Sequence, residues 1–166
     1  MMPRLNRPKV DLDRKIAESV VNTAAAAVVA AFGCPRVLIA DDDPATAEML
    51  ASIGDGTTYR IVSVKDGREA YRVLMADANF AVAVFNLAMP HLHGADLVRH
   101  MKTEKRLMRI PVIIVSGDHG IGTVAESFAA GAIAFLAKPF AREHLQRTLM
   151  LALSNKDSRE QIAQAA

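Results

Sequence analysis

Four apolar runs in this chain each end in a polar side chain with chemical capability. Residues 37–40 lead to Asp41, Asp42 and Asp43, residues 81–85 to Asn86, residues 111–115 to Ser116, and residues 133–137 to Lys138, which precedes Pro139. Paired carboxylates joined by a third oxygen donor from another segment suit Mg²⁺, a hard ion that takes oxygen ligands and keeps several waters. Asn86 contributes an amide, whose oxygen is neutral and whose electrons are partly delocalised, so it is a poor nucleophile. Taken alone, the three aspartates fit equally well as residues capping a helix that starts at Pro44. Ser116 alone fits as the start of the Gly117-Asp118-His119-Gly120 loop.

A site of this kind needs the four runs to finish on one edge of the molecule. Short apolar runs at 37–40, 59–64, 81–85, 111–115 and 133–137 predict strands. Helical periods predict helices over about 44–53, 67–77, 94–105, 122–130 and 142–153, the first opening with a proline at a tolerated first-turn position. Strands without strict alternation, each followed by a helix, make a parallel sheet covered on both faces. Five such units predict an α/β fold, a doubly wound five-stranded parallel sheet of the flavodoxin-like kind. Right-handed crossovers bring all strand C-terminal ends to one edge. Open parallel sheets bind ligands there, near the switch in strand order, and Asp41, Asp42, Asn86, Ser116 and Lys138 are all expected at that edge.

The domain proper is expected over residues 35–153. Ahead of it, residues 1–9 carry two prolines and are expected to be disordered, and residues 10–33 are expected to form an added N-terminal helix. Its stripe of Ile16, Val20, Thr23, Ala27 and Ala31 is apolar enough to need covering, by its own domain, by another copy as a dimerisation element or by a partner's helix. Residues 154–166 form a tail or an extension of the last helix. The 166 residues, 51% hydrophobic, suffice for one full core. A formal charge of +2, with no Lys/Arg run longer than two, lacks the basic clustering of a nucleic-acid footprint. The apolar stretch at 20–32 is shorter than the roughly 20 residues a membrane span needs. Asp11, Asp13 and Glu18 break a leader pattern ahead of it. The single Cys34 excludes an internal disulfide and suits a reducing cytosol, so a cytoplasmic location is expected.

The acid pair, Asn86, Ser116 and Lys138, supported by Met89-Pro90 and Lys138-Pro139-Phe140, resemble the receiver domain of bacterial two-component response regulators over about residues 35–153. The resemblance implies that Asn86 stands where the family has its phosphate-accepting aspartate. It implies Mg²⁺ held by Asp41, Asp42, residue 86 and the Ala88 carbonyl, with Lys138 pairing the phosphorylated acceptor. Ser116 would be the switch hydroxyl and Phe135 the coupled aromatic switch residue, although Phe135 fits plain core equally well. An amide at position 86 implies weakened Mg²⁺ binding and no stable phosphorylation.

The expectation is therefore a stand-alone pseudo-receiver, not an enzyme, that works by protein–protein contact in a two-component or phosphorelay pathway. Its implied partners are a histidine kinase or phosphotransfer protein. Two alternatives stay open: an Asp-to-Asn form of an ordinary Mg²⁺-dependent phosphotransfer receiver, and an oligomerising scaffold built on the N-terminal helix. His91, His93 and His119 raise a transition-metal reading, but imidazoles two apart on a loop are more often solvated.

Overall fold

Alternate residues of the strands feed two separate cores, one on each face of a single sheet. The computed structural model describes residues 33–54 and 59–165. The expected disordered segment 1–9, the expected N-terminal helix as far as residue 32 and its dimerisation role lie outside the described residues. From Arg36 the order is β1 (Arg36–Ala40), α1 (Pro44–Gly54), β2 (Arg60–Val64), α2 (Gly67–Ala76), β3 (Val82–Asn86), α3 (Gly94–Thr103), β4 (Val112–Ser116), α4 (Ile121–Ala130), β5 (Ala134–Ala137) and α5 (Arg142–Ala165). The five strands are all parallel and lie in the order β2-β1-β3-β4-β5. This is the doubly wound, flavodoxin-like sheet expected from the strand–helix alternation.

Leu38, Ala40, Ala83, Phe85, Val112 and Ile114 face one way and pack with Ala70 and Leu74 of α2 and Leu97, Val98 and Met101 of α3. Val37, Ile39, Val82, Val84, Ile113 and Val115 face the other way and pack with Leu50 and Ile53 of α1 and Leu145 and Leu149 of α5. Burial on both faces explains why these strands read as unbroken apolar runs rather than alternating ones. Chain order reverses at β1, whose neighbours are β2 and β3. The switch in strand order therefore falls at the C-terminal ends of β1 and β3, where folds of this kind bind ligands.

Several boundaries differ from the sequence expectation. β3 and β4 each run one residue further, so Asn86 and Ser116 are the last residues of their strands rather than the first of their loops. α3 stops at Thr103 instead of continuing to Lys105, because Glu104 turns to extended geometry. Lys102 then reaches across to donate to the Met108 and Ile110 carbonyls at 3.1 and 3.3 Å. The last helix continues through the polar tail to Ala165.

Aspartates hold the loops. Asp43 accepts from Ala45 N–H and Thr46 Oγ1 at the start of α1, and Asp66 caps α2 by accepting from Glu69 N–H at 2.8 Å. Asp77 pairs with Arg36, which also lies over the Phe80 ring, and Asp118 accepts from Gly120 N–H and Thr123 Oγ1 ahead of α4. These bonds lower all four carboxyls below the ordinary 3.8. The main cause is Thr46 for Asp43, the Glu69 amide for Asp66, Arg36 for Asp77 and the Gly120 amide for Asp118. Groups depressed on folding stabilise fully above the unfolded value and stop doing so as pH falls through the folded value. The urea midpoint is therefore expected to decline as pH falls below about 4, where the unfolded chain binds more protons.

Candidate functional site

At the reversal point, the end of β3 meets the end of β1. Asn86 occupies the last position of β3, and its backbone neighbour Leu87 donates to Val115 O on β4 at 2.9 Å. Beyond β1 the chain places Asp41, whose side chain is 1% exposed, and then the exposed Asp42. The Asn86 Nδ2 donates to Asp41 Oδ1 at 3.2 Å, to Asp42 Oδ1 at 3.1 Å and to the Ala88 carbonyl at 3.3 Å. From β5, Lys138 reaches over to donate to Asp41 Oδ2 at 2.8 Å. Asp41 Oδ1 also accepts the Asp43 N–H at 2.9 Å. Asp41 is thus a hub for three donors, and three separate strands converge on it.

The structure brings together Asp41, Asp42, Asn86, Ala88 and Lys138, while the side-chain hydrogen bonds of the third acid go elsewhere. Asp43 turns away to the start of α1, as the capping alternative requires. Ser116, buried at the end of β4, accepts the Asp118 N–H at 3.1 Å, and its carbonyl receives the Lys138 N–H at 2.8 Å. Its hydroxyl therefore anchors the following loop, while its backbone fixes where Lys138 departs. Phe135 is half-buried on β5 and packs against the core beneath α2 and α3. His119 Nδ1 lies 3.3 Å from the Gly117 carbonyl, and His91 adopts φ 67°. Among the described residues no group of three or more His, Cys, Asp or Glu could hold a metal ion. No described helix is long and apolar enough to cross a membrane.

Sequence reasoning missed Gly94. A Cβ there would sit 2.5 Å from the Asn86 carbonyl oxygen and 3.0 Å from Leu87 Cα, so only glycine lets α3 start directly behind the site. The Gly94 N–H completes the closure by donating to Leu87 O at 2.8 Å. The available signal was a glycine opening a helix right after the β3 loop. Gly94→Ala is expected to cost about 1–3 kcal/mol by overpacking against backbone, lowering the melting temperature by roughly 3–10 °C. It should also shift the backbone amide resonances of Asn86 and Leu87. Calorimetry with ¹H–¹⁵N spectra checks both.

Fold and site together define a doubly wound α/β domain with a polar cluster at its strand C-termini. The response regulator receiver domain matches residues 37–150, and the chain belongs to that family. A two-component response regulator of Oryza sativa, ORR11, is 30% identical over 122 residues, covering 73% of this chain and 83% of the relative. The chemotaxis protein CheY1 of Helicobacter pylori is 26% identical over 123 residues, 74% of this chain and 99% of the relative. Among solved structures, the receiver domain of a signal transduction histidine kinase from Syntrophus aciditrophicus superposes with a TM-score of 0.67 at 30% identity, covering 73% and 91% of the two chains. The receiver domain of a Pseudomonas aeruginosa sensor histidine kinase, with a magnesium ion coordinated in its active-site cleft, gives a TM-score of 0.63 at 27% identity, covering 72% and 98%. Receiver domains interact with histidine kinases or phosphotransfer proteins, and generally bind Mg²⁺.

That ion can be tested against the donor set present here. Asp41 Oδ1, Asp42 Oδ1 and Ala88 O share the two hydrogens of one amide nitrogen, and Asp41 Oδ2 receives one from Lys138. Two carboxylates and a carbonyl are the oxygen donors Mg²⁺ takes, and in this arrangement they are turned on the amide nitrogen and Lys138 instead.

Proposed function

We propose that this chain is a receiver module of two-component or phosphorelay signalling in which residue 86 stands at the phosphoacceptor position and, as an amide, takes no phosphoryl group. It then acts through protein–protein contacts with a histidine kinase or phosphotransfer protein. The observation that carries this reading is the position of Asn86, last residue of β3, with Asp41, Asp42 and Lys138 gathered around it. A carboxylate attacks phosphorus with an anionic lone pair, whereas an amide oxygen is neutral and shares its electrons with nitrogen. Losing that anion also weakens attraction for a cation, by a few kcal/mol for a unit charge at about 4 Å and an effective dielectric near 20.

With its site chemically silent, the module is regulated by partners that bind two conformations unequally, since only differential binding shifts an equilibrium. Incubation with acetyl phosphate and Mg²⁺, followed by intact-mass measurement, is expected to show no phosphoryl adduct. An adduct lost in Asn86→Ala overturns the reading.

A further inference from the structure

We propose that the Asn86 amide nitrogen is a built-in replacement for the divalent cation, so that this receiver holds its strand-end site together without metal. The inference deepens the reading of residue 86 as the acceptor position and rests on it, but it concerns a different property, cation dependence. Which end of the amide faces inward is settled by chemistry. The three atoms it meets are two carboxylate oxygens and one carbonyl, all acceptors, so the two N–H bonds must point at them. Bonds from a donor to ionised carboxylates are the stronger kind. The amide thereby joins the ends of β1 and β3 and the β3–α3 loop, three segments that a cation would otherwise bridge.

Charge points the same way. Asp41 and Asp42 carry two negative charges and Lys138 returns one positive charge at 2.8 Å from Asp41, a net −1 around the amide. A carboxylate at position 86 would make it −2. Mg²⁺ gives up its waters reluctantly and is held through carboxylates, and the two present here are already engaged by the amide and Lys138. To ligate it, Asn86 would have to swing Oδ1 inward, and all three acceptors would lose their shared donor. The three strand-end segments thus stay bridged whatever the Mg²⁺ concentration.

Two measurements on the full chain, without phosphodonor, test this. Thermal melting of the natural chain is expected to shift by less than about 1 °C between EDTA and 10 mM MgCl₂, while Asn86→Asp gains roughly 3 °C or more from the ion it can bind. In ¹H–¹⁵N spectra the Asn86 side-chain NH₂ pair, assigned by its loss in Asn86→Asp, is expected to stay in place through the same titration. It is also expected to remain sharp with trace Mn²⁺. Should Asn86→Asp fail to fold, Asn86→Ser removes the two donors without adding charge and is expected to show Mn²⁺ broadening at Asp41 and Asp42. A natural chain that melts higher with Mg²⁺, or whose Asn86 pair moves or broadens, overturns the proposal. So does an absence of metal response in every variant, which would mean the amide displaces nothing. Phosphorylation of the natural chain would sink the functional reading while leaving these outcomes intact.

Discussion

Asn86→Asp is expected to convert a chain that acetyl phosphate leaves unmodified into one that carries a single phosphoryl group. The substitution places an anionic oxygen at the end of β3, beside an acid pair and a lysine already in position. That oxygen forms a bond to phosphorus as the phosphorus–oxygen bond to acetate breaks, and the electron pair leaves on acetate. Lys138 then has a second anion to pair with, in addition to Asp41. Bound Mg²⁺ would supply charge neutralisation between donor and site.

The same change has a cost. A third carboxylate would sit where Asn86 now donates at 3.1–3.2 Å, and like charges that close oppose ionisation. In EDTA the variant should therefore melt below the Asn86 chain. Intact-mass measurement shows whether the adduct appears, and hydroxylamine, which cleaves acyl phosphates, shows whether it sits on a carboxyl. A folded Asn86→Asp that stays unmodified would remove position 86 from the acceptor role.

Much of this arrangement was legible in the sequence because buried parallel strands leave a simple trace. Runs such as Val82-Ala83-Val84-Phe85 have no polar residue to spare for solvent, so a polar residue closing the run must lie at the sheet edge. Five such runs separated by helical periods admit few topologies, and the edge residues follow from them. What stayed hidden depends on direction rather than on type. Asp41, Asp42 and Asp43 are one tripeptide motif in the sequence. Yet Asp41 is a buried hub, Asp42 an exposed acceptor and Asp43 a cap for α1, because the chain is turning from strand to helix. Ser116 stands at the predicted strand end, while its Oγ is spent on Asp118 N–H, a local bond that composition does not reveal. Gly94 was read as a helix start, and only the packed backbone shows that any side chain there would press on Asn86. The close of α3 at Thr103 likewise follows from the extended geometry of Glu104, after which Lys102 donates to carbonyls six and eight residues on.

Asp41→Asn should be the most damaging conservative substitution at the site, and the reason is donor arithmetic. Asp41 accepts from Asp43 N–H and Asn86 Nδ2 on one oxygen and from Lys138 Nζ on the other. An amide in its place has one acceptor end and one donor end. With Oδ1 kept toward Asp43 and Asn86, the new NH₂ faces the Lys138 ammonium; turned over, it faces the other two donors instead. Either way a buried donor meets a donor, and Lys138, whose side chain is only 18% exposed, loses its counter-charge. Removing one partner of a buried pair costs about 3–5 kcal/mol, and the partial hydration of Lys138 places this case near the lower end, about 3. For a domain of this size that is roughly 6–12 °C in melting temperature. Asp42→Asn is the control, because Asp42 is exposed and among the described residues hydrogen-bonds Asn86 alone; its cost should stay within about 0.5 kcal/mol. Urea unfolding of both variants decides the matter. Equal costs would mean that Asp41 is not the hub on which β1, β3 and β5 converge.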